Sequence, residues 1–552
     1  MQRFPAQHVA ISFGLIVAAL YALVAGLSIP TQRAIIMLST LVVMTLIRKN
    51  HRPCDVLGLA LLLVLLFDPL AVLSVGFWFS FSAVAVIFIT LNPDKKEMTL
   101  HGSDIDKHQR RGSIWFKTAS ILKRWIRLQL LINLFLFPMS LFMFQQVSLV
   151  SPLVNLFLIP YVSILVVPVV LFAIVFSSVH QAFADVLFHL AAGLLDLIWP
   201  LLSFFSSLPH ALWVKGDIDM LRLMLMTVAL LLIFFSRKLA VLIDGWRDDN
   251  RITSILWVLR LLACFMFVPV FIVDETGWSA GEYRLTVLDV GQGSAAVIQT
   301  RNHTLIFDAG AKFSGSLDAG SSVIIPYLRT QGVVLPDRLI ISHGDADHIG
   351  GAAAIIREYP KMEVIGQDIG DLQTDNKQLC RQGLGWSWDG VIFTFLSPDV
   401  TDPAFESLKR NNHSCVLHVS SAYGSILLTG DIEKKMELYL VEKYAGRLAS
   451  DIMLVPHHGS NTSSSSGFIH AVDPEIALIS VGYKNRYRLP ALKVVTRYNL
   501  KQRDLMQTAK TGAITITFFD RKRGVERYRE IAGKYWNHTE IKQSLAIRRQ
   551  HI

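Results

Sequence analysis

At 552 residues the chain is too long for one ordinary domain. Hydrophobic residues make up 52% of it and charged residues 17%, where a soluble domain carries roughly 25% charged residues. With a mean hydropathy of +0.43, this balance excludes a wholly soluble enzyme and a disordered chain alike. The net charge of +10 suits nucleic acid or anionic lipid, but basic cytoplasmic loops of a membrane protein account for it equally well.

The chain is bipartite. Apolar runs of near-spanning length occur at 8–27, 33–47, 56–73, 76–92, 128–147, 152–176, 183–206, 219–236 and 254–273. The first has little preceding charge and is followed at once by further apolar runs, so it reads as a membrane helix and not a signal peptide. The second is short, and Asp68-Pro69 interrupts the third and fourth, which suits re-entrant or surface-lying segments. Pro138, Pro160, Pro168 and Pro200 fall within the runs. Such prolines either kink ordinary membrane helices or mark broken helices around a water-filled cavity.

Basic residues set the expected topology. Arg48, Lys49 and Arg52 lie between the second and third runs, Lys95 to Arg127 between the fourth and fifth, and Arg237 to Arg251 between the eighth and ninth. Even numbers of runs separate these loops, so all three share one side, and the excess of Lys and Arg makes that side cytoplasmic. The ninth run then carries everything after residue 275 out of the cytoplasm. Residues 114–127 (IWFKTASILKRWIR) mix aromatic and basic residues as an interfacial helix does.

Four cysteines do not make a disulfide framework. Cys54 and Cys264 read as buried thiols at apolar segments, and Cys380 and Cys415 could pair only in an oxidising compartment.

From residue 283 the pattern changes to short strands. YRLTVLDV and SAAVIQT alternate about a GQG turn, and LIFDAG, RLIIS, CVLHVSS, SILLTGD, DIMLV and IALIS follow with helical stretches between them. This order predicts two layers of sheet with helices outside. The expected domains are a membrane unit over 1–275, a hydrolase unit over 280–535 and a basic tail over 536–552.

The densest chemical signal is SHGDADHIGG at 342–351, directly after the apolar strand LII. His343, Asp345, Asp347 and His348 occupy six positions of one strand-to-helix loop, where their side chains can converge on a dinuclear metal centre. The trailing glycines let the backbone pack closely there. The loop resembles the His-x-His-x-Asp-His motif of the metallo-β-lactamase superfamily, with Asp345 in place of the second histidine as in the ComEC-type branch. The resemblance implies that His343 and Asp345 serve one metal, and Asp347 with His348 the other. It also implies that Asp431, ending LLTGD, bridges the two, and that one histidine of VPHHGS is the late ligand. Of that pair we favour His457 over His458. LDVGQGSAAVI and LIFDAG match the family's opening hairpin and the loop of Asp308, which would support the ligands from behind.

Two departures stand out. His413 occupies the variable position of RNNHSCVL, which is similar to an Asn-Asn-x-Ser segment, and it is an uncertain ligand. Leu489 of NRYRLP replaces the histidine of the family's Asn-x-Tyr-x-His-Pro segment. The expected site is oxygen-rich and one imidazole short, which favours two divalent ions with manganese over zinc, or leaves a weak or inactive site. If the site is active, Asp347 and Asp431 are the expected catalytic carboxylates, and the metals would promote phosphodiester hydrolysis.

The membrane half also resembles the ComEC type, in YALVAGLSIPTQRAIIM at 21–37, DPLAVLSVGFWFSFSAVAVI at 68–87 and LVSPLVNLFLIPYVSILVVP at 149–168. The expected fold is therefore a polytopic α-helical membrane domain followed by an αββα metallo-β-lactamase-like domain. Family members begin with an OB-fold domain and further membrane segments, so the resemblance implies an N-terminally truncated product. It implies inner-membrane DNA uptake in transformation, with one strand transported and the other hydrolysed outside the cytoplasm. Lipid, a DNA receptor and ATP-driven cytoplasmic uptake proteins are the implied partners. Arg521, Lys522 and Arg523, interleaved with aromatics, are candidate nucleic-acid contacts. The alternatives are a membrane-anchored scaffold that grips DNA without cutting it, or a tethered hydrolase of lipid or another phosphoester.

Overall fold

Long apolar runs propagate as helix, and those of the first half do so even across internal prolines, apart from a break at Asp68–Ser74. The computed structural model describes residues 5–47, 52–91, 114–216, 218–244, 249–272, 277–315, 317–401, 405, 407–500, 503–519 and 522–533. Among the described residues, the helices of the first unit are α1 (Ala6–Val24), α2 (Ile29–Ile47), α3 (Pro53–Phe67), α4 (Val75–Leu91), α5 (Ile114–Phe144), α6 (Ser151–Ser177), α7 (Gln181–Ser207), α8 (Met220–Asp244) and α9 (Asp249–Phe271), with one short antiparallel pair of strands, β1 (Gln146–Ser148) and β2 (Leu212–Val214). Among the described residues, six helices contain stretches long and apolar enough to cross a membrane: α1, α2, α5, α6, α7 and α9. The apolar parts of α3, α4 and α8 are shorter. The outward faces of the first unit's helices carry large apolar side chains such as Phe13 on α1, Leu66 on α3, Phe172 on α6, Trp199 on α7 and Phe265 on α9. This is the reverse of a protein dissolved in water, and it is the surface that lipid requires.

Several local expectations change. Residues 114–127 form no separate interfacial helix but run on into α5, because no proline or glycine interrupts the hydrogen-bond ladder before Pro138. Between Pro160 and Pro168, α6 loosens into a π-turn at Val162–Val166, the local adjustment that intramembrane prolines call for. Asp68-Pro69 ends α3, and a 3₁₀ turn, Pro69–Leu73, leads into α4. Cys54 and Cys264 are free and exposed, not buried; thiols on helices with so little enclosed interior face outward. Of the basic loops, Arg48, Lys49, Lys95, Lys96, Lys107, Arg110, Arg111 and Arg247 lie outside the described residues.

The chain divides into two compact units, Met1–Val273 and Asp274–Ile552. In the second, one eight-stranded sheet contains β3 (Tyr283–Val287), β4 (Ala296–Gln299), β5 (Thr304–Phe307), β6 (Arg338–Ile341), β7 (Glu363–Gly366), β8 (Lys377–Leu379), β16 (Ile514–Phe519) and β17 (Lys522–Arg527), in the order 17-16-3-4-5-6-7-8. The other, seven-stranded, contains β9 (Gly385–Trp388), β10 (Val391–Ser397), β11 (Val416–Ser421), β12 (Gly424–Leu428), β13 (Ile452–Leu454), β14 (Ile476–Ile479) and β15 (Asp504–Gln507), in the order 15-14-13-12-11-10-9. Strand alternation splits the core into layers. Leu285, Phe307 and Ile340 meet Phe393, Leu417, Ile426 and Leu454 between the sheets. Ile306, Leu339 and Ile341 face outward onto Leu328 and Ile355 of the flanking helices, while Leu427, Met453 and Ala477 face Met436, Leu440 and Phe468. The architecture is αββα. Cys380 and Cys415 form a disulfide whose two residues are fully buried.

Candidate metal centre

Parallel strands deliver their following loops to one end of a sheet, and the candidate site is built from four such loops. β5 and β6 run parallel, as do β12, β13 and β14. Asp308 follows β5, the His343–His348 loop follows β6, Asp431 follows β12 and the His457-His458 pair follows β13. Close backbone approach holds the loops together. A Cβ on Gly351 would stand 2.4 Å from the Ala309 carbonyl oxygen, and one on Gly430, at φ +54°, would stand 2.9 Å from the Ser342 and Ser414 Cβ atoms.

Asp308 anchors the arrangement. Fully buried and at φ +61°, it accepts the Ser342 N–H at 2.7 Å and the Ser342 hydroxyl at 3.0 Å. His348 Nδ1 donates to its other face at 2.7 Å. A proton is thereby held on Nδ1, and Nε2 of His348 faces the cluster, where it can ligate once it is deprotonated. Nε2 lies 3.2 Å from Asp431 Oδ1 and 3.3 Å from His458 Nε2. His458 Nε2 lies 3.2 Å from Asp347 Oδ2 and 3.7 Å from Asp431 Oδ2. Two triads of donor atoms converge, His343 with His348 and Asp431, and Asp347 with His348 and His458.

The electrostatics are those of a site built for positive charge. Burial opposes ionisation of Asp347, but the hydrogen bond from His458 and the charges of His348 and His458 outweigh it and hold the carboxyl at about 2. Burial likewise opposes the charge on Asp431, which the same two histidines drive well below the ordinary range. In turn burial disfavours charging His348 and His458, yet Asp431, with Asp308 and Asp347, raises both. His343 Nε2 is buried without a hydrogen bond; Asp345 Oδ2 stands 3.4 Å away. Asp345 is lowered by its contact with His343, and Arg410 also holds it, at 3.1 Å. An orphaned buried imidazole nitrogen beside interleaved histidines and carboxylates is a donor set that fits divalent cations.

The placement of the expected residues differs in detail. His343, His348, Asp347 and Asp431 come together, and Asp345 lies at the margin against Arg410. Where the sequence favours His457, the geometry brings in His458. Both have φ +52°, but the His458 ring is buried and tied through Nδ1 to the Ser480 carbonyl at 2.8 Å. His457 turns to Thr462 at 3.0 Å, with Nε2 3.8 Å from Asp431. His413 stands apart, stacked on Phe405 with Nε2 on its carbonyl oxygen at 2.9 Å. Its neighbours position the Asp431 loop instead: Asn412 accepts the Glu433 N–H at 2.8 Å, and the Ser414 oxygen accepts the Asp431 N–H at 3.2 Å. Leu489 packs with the outer core. Of the basic trio, Arg521 lies outside the described residues, as does the Lys522 side chain, and Arg523 is paired with Asp451 and Glu475. Sequence reasoning missed Arg410, Asp368 and Ser342. Adjacency to the Asn-Asn segment and to His343 offered a signal for the first and last. Asp368, which accepts from Arg410 at 2.9 Å, gave none.

A polytopic helical unit joined to an αββα unit with this histidine–aspartate centre defines a multi-pass membrane protein carrying a metallo-β-lactamase-type domain. Residues 1–240 match the family described as Competence protein, and residues 288–483 match the metallo-β-lactamase superfamily. The chain is 30% identical to Recombination protein 2 of Haemophilus influenzae, over 96% of this chain and 66% of that one. It is 34% identical to Competence protein ComA of Neisseria gonorrhoeae (90% and 63%) and 26% to ComE operon protein 3 of Bacillus subtilis (91% and 63%). Among solved structures, the metallo-β-lactamase fold protein YhfI from Bacillus subtilis is similar at 12% identity, with a TM-score of 0.30, over 42% of this chain and 99% of that one. The chain belongs to the ComEC family of competence proteins, and it spans just under two thirds of the length of these relatives. Its metallo-β-lactamase fold implies divalent metal binding.

Proposed function

We propose that this chain acts in DNA uptake across the inner membrane during natural transformation, with one strand passing inward and the other hydrolysed by the metal-dependent domain. The observation that carries the reading is the union in one chain of a competence-protein membrane unit and a buried histidine–aspartate cluster. The names of its relatives, Competence protein ComA and Recombination protein 2, support it. A cavity of about 610 Å³ in the membrane unit, mostly apolar but reached by Asn133, Ser140, Gln146, Ser148 and Ser151, supports a conduit. The disulfide Cys380–Cys415 supports an extracytoplasmic hydrolase unit, since such bonds persist in oxidising compartments.

His343, His348, Asp431, Asp347 and His458 would hold the ions, with Asp345 at the margin; two ions are proposed, and manganese is favoured over zinc because carboxylates supply much of the donor set. Bound divalent ions supply Lewis-acid activation of a phosphodiester and of the attacking water. Asp308 fixes the His348 tautomer, the Ser480 carbonyl holds the His458 ring, and Asp347 and Asp431 carry the negative charge that retains cations.

The test is DNase activity of the purified full chain in detergent with manganese, magnesium, zinc or EDTA. Manganese-dependent cutting that is lost in Asp347→Ala is the expected result; no cutting with any metal by a folded protein refutes the nuclease. A second reading, a DNA-binding scaffold that does not cut, is favoured by Leu489 and by the outward turn of His413. It predicts a salt-sensitive gel shift without cleavage.

A further inference from the structure

In α2, Arg33 is 6% exposed, an ionisable side chain enclosed in the membrane unit. Its Nη1 donates to the Ser74 hydroxyl at 3.1 Å, while Nε is buried without a hydrogen-bond partner. Among the described residues, no carboxylate lies within ion-pairing distance of it. Asp68 turns one oxygen to the Leu70 N–H at 3.1 Å. A buried guanidinium facing only a neutral hydroxyl is an incomplete arrangement, since enclosed charges are otherwise paired.

The guanidinium is aimed at the start of α4. Ser74 is the residue before that helix, and its oxygen also accepts the Phe77 N–H at 3.2 Å. Gly76 leaves the space that the guanidinium fills, for a Cβ there would stand 2.6 Å from Arg33 Nη2. The N-terminus of a helix presents N–H groups unsatisfied within the helix and the positive end of its dipole. Here that positive end meets a second positive group. Helix α3 has 15 residues, α4 has 17, and the break at Asp68–Ser74 lies between them. Short, interrupted membrane helices that present an N-terminus are the arrangement that takes anionic substrate groups in transporters. One turn further along α4, on the same face as Gly76, Phe79 lines the cavity of the membrane unit that Asn133, Ser140 and Gln146 also reach.

We infer that Arg33, the Ser74 hydroxyl and the N-terminus of α4 form an intramembrane anion site that takes a phosphodiester of the nucleic-acid strand. The inference rests on the DNA-uptake reading above. Among the described residues a single neutral hydrogen bond holds the guanidinium, on Ser74, so the long side chain can swing onto a phosphate and gain charge-assisted hydrogen bonds. A non-bridging phosphate oxygen accepts from Nε or Nη2, and no covalent step is involved.

The test uses the purified full chain in detergent with a 5-bromodeoxyuridine single-stranded oligonucleotide, ultraviolet cross-linking and peptide mapping by mass spectrometry. Cross-links on the first turns of α4, where Trp78 is 40% exposed, are expected. They should fall at least tenfold in Arg33→Gln and less in Arg33→Lys, with cross-links on the hydrolase unit changed less than twofold. Gly76→Ala keeps the charge but displaces the guanidinium. It should lower the α4 yield as well, and it decides the matter if Arg33→Gln does not fold. Undiminished α4 cross-linking in the folded variants overturns the site while leaving the conduit reading intact. Cross-links confined to the hydrolase unit of the wild type overturn the conduit reading and this site with it. Loss of a co-purifying phospholipid from Arg33→Gln in native mass spectrometry, without change in cross-linking, assigns the site to a lipid headgroup and overturns the nucleic-acid assignment.

Discussion

Replacing Asp308 by asparagine changes no shape and removes one charge, and its effect can be worked out atom by atom. The Ser342 N–H, 2.7 Å from Oδ1, must face the amide oxygen of the new side chain, because two donors cannot meet there. The amide nitrogen then occupies the Oδ2 position, opposite His348 Nδ1 at 2.7 Å and the Ser342 hydroxyl at 3.0 Å. A donor facing Nδ1 moves the imidazole proton to Nε2, the nitrogen that faces Asp431 and His458, and the ligating lone pair is lost. Asparagine tolerates the φ of +61°, so backbone strain adds little. Losing the partner that orients a ligating histidine lowers metal affinity by about 10–100-fold, or about 1.4–2.7 kcal/mol. The assay is competition between the full-length protein and a fluorescent chelator for manganese and for zinc, with circular dichroism as the control for folding. A folded Asp308→Asn protein that binds both metals within twofold of wild type would refute the tautomer argument and the assignment of His348 as a ligand.

Four further outcomes are expected. His458→Ala should lower metal affinity at least ~10-fold, whereas His457→Ala should change it by less than ~3-fold; equal losses would put both rings in the site. Metal affinity should rise with pH, because His348 and His458, raised in the metal-free protein, must release their protons to bind. Calorimetry in buffers of different ionisation enthalpy measures that release. In the metal-free protein their stabilisation is fully present below about pH 6.5 and is lost as pH rises through their folded values. That of Asp347 is present above its ordinary value of 3.8 and is lost as pH falls toward about 2. Chemical denaturation from pH 3 to 9 checks both signs. Replacing Cys380 and Cys415 by serine opens a link across 35 residues of chain and should cost about 4 kcal/mol by chain entropy; an unchanged unfolding midpoint of the hydrolase unit would count against a formed bond.

Local pattern made much of this protein legible. Apolar runs in lipid satisfy their backbone internally, so the runs that the sequence marks are helical in the structure, with the third broken at Asp68-Pro69 as the sequence also suggested. The SHGDADHIGG loop announces its chemistry because the strand before it and the glycines after it leave no room for an ordinary surface loop. Alternation in YRLTVLDV and SAAVIQT was enough to place strands between two cores. What adjacency could not decide was which way a side chain turns. His457 and His458 share one backbone conformation, and only the Ser480 carbonyl, brought over by β14, turns the second inward. His413 has a ligand's chemistry, yet Phe405 draws its ring away, and the neighbouring Asn412 and Ser414 hold the Asp431 loop in its stead. Arg33 is a single charge in an apolar run, and its enclosure against Gly76 exists only once α2 and α4 pack together. The candidate donors, His457 and His458 alike, are named in the chain; their direction is set by hydrogen bonds and packing between segments far apart in it, and those exist only in the folded protein.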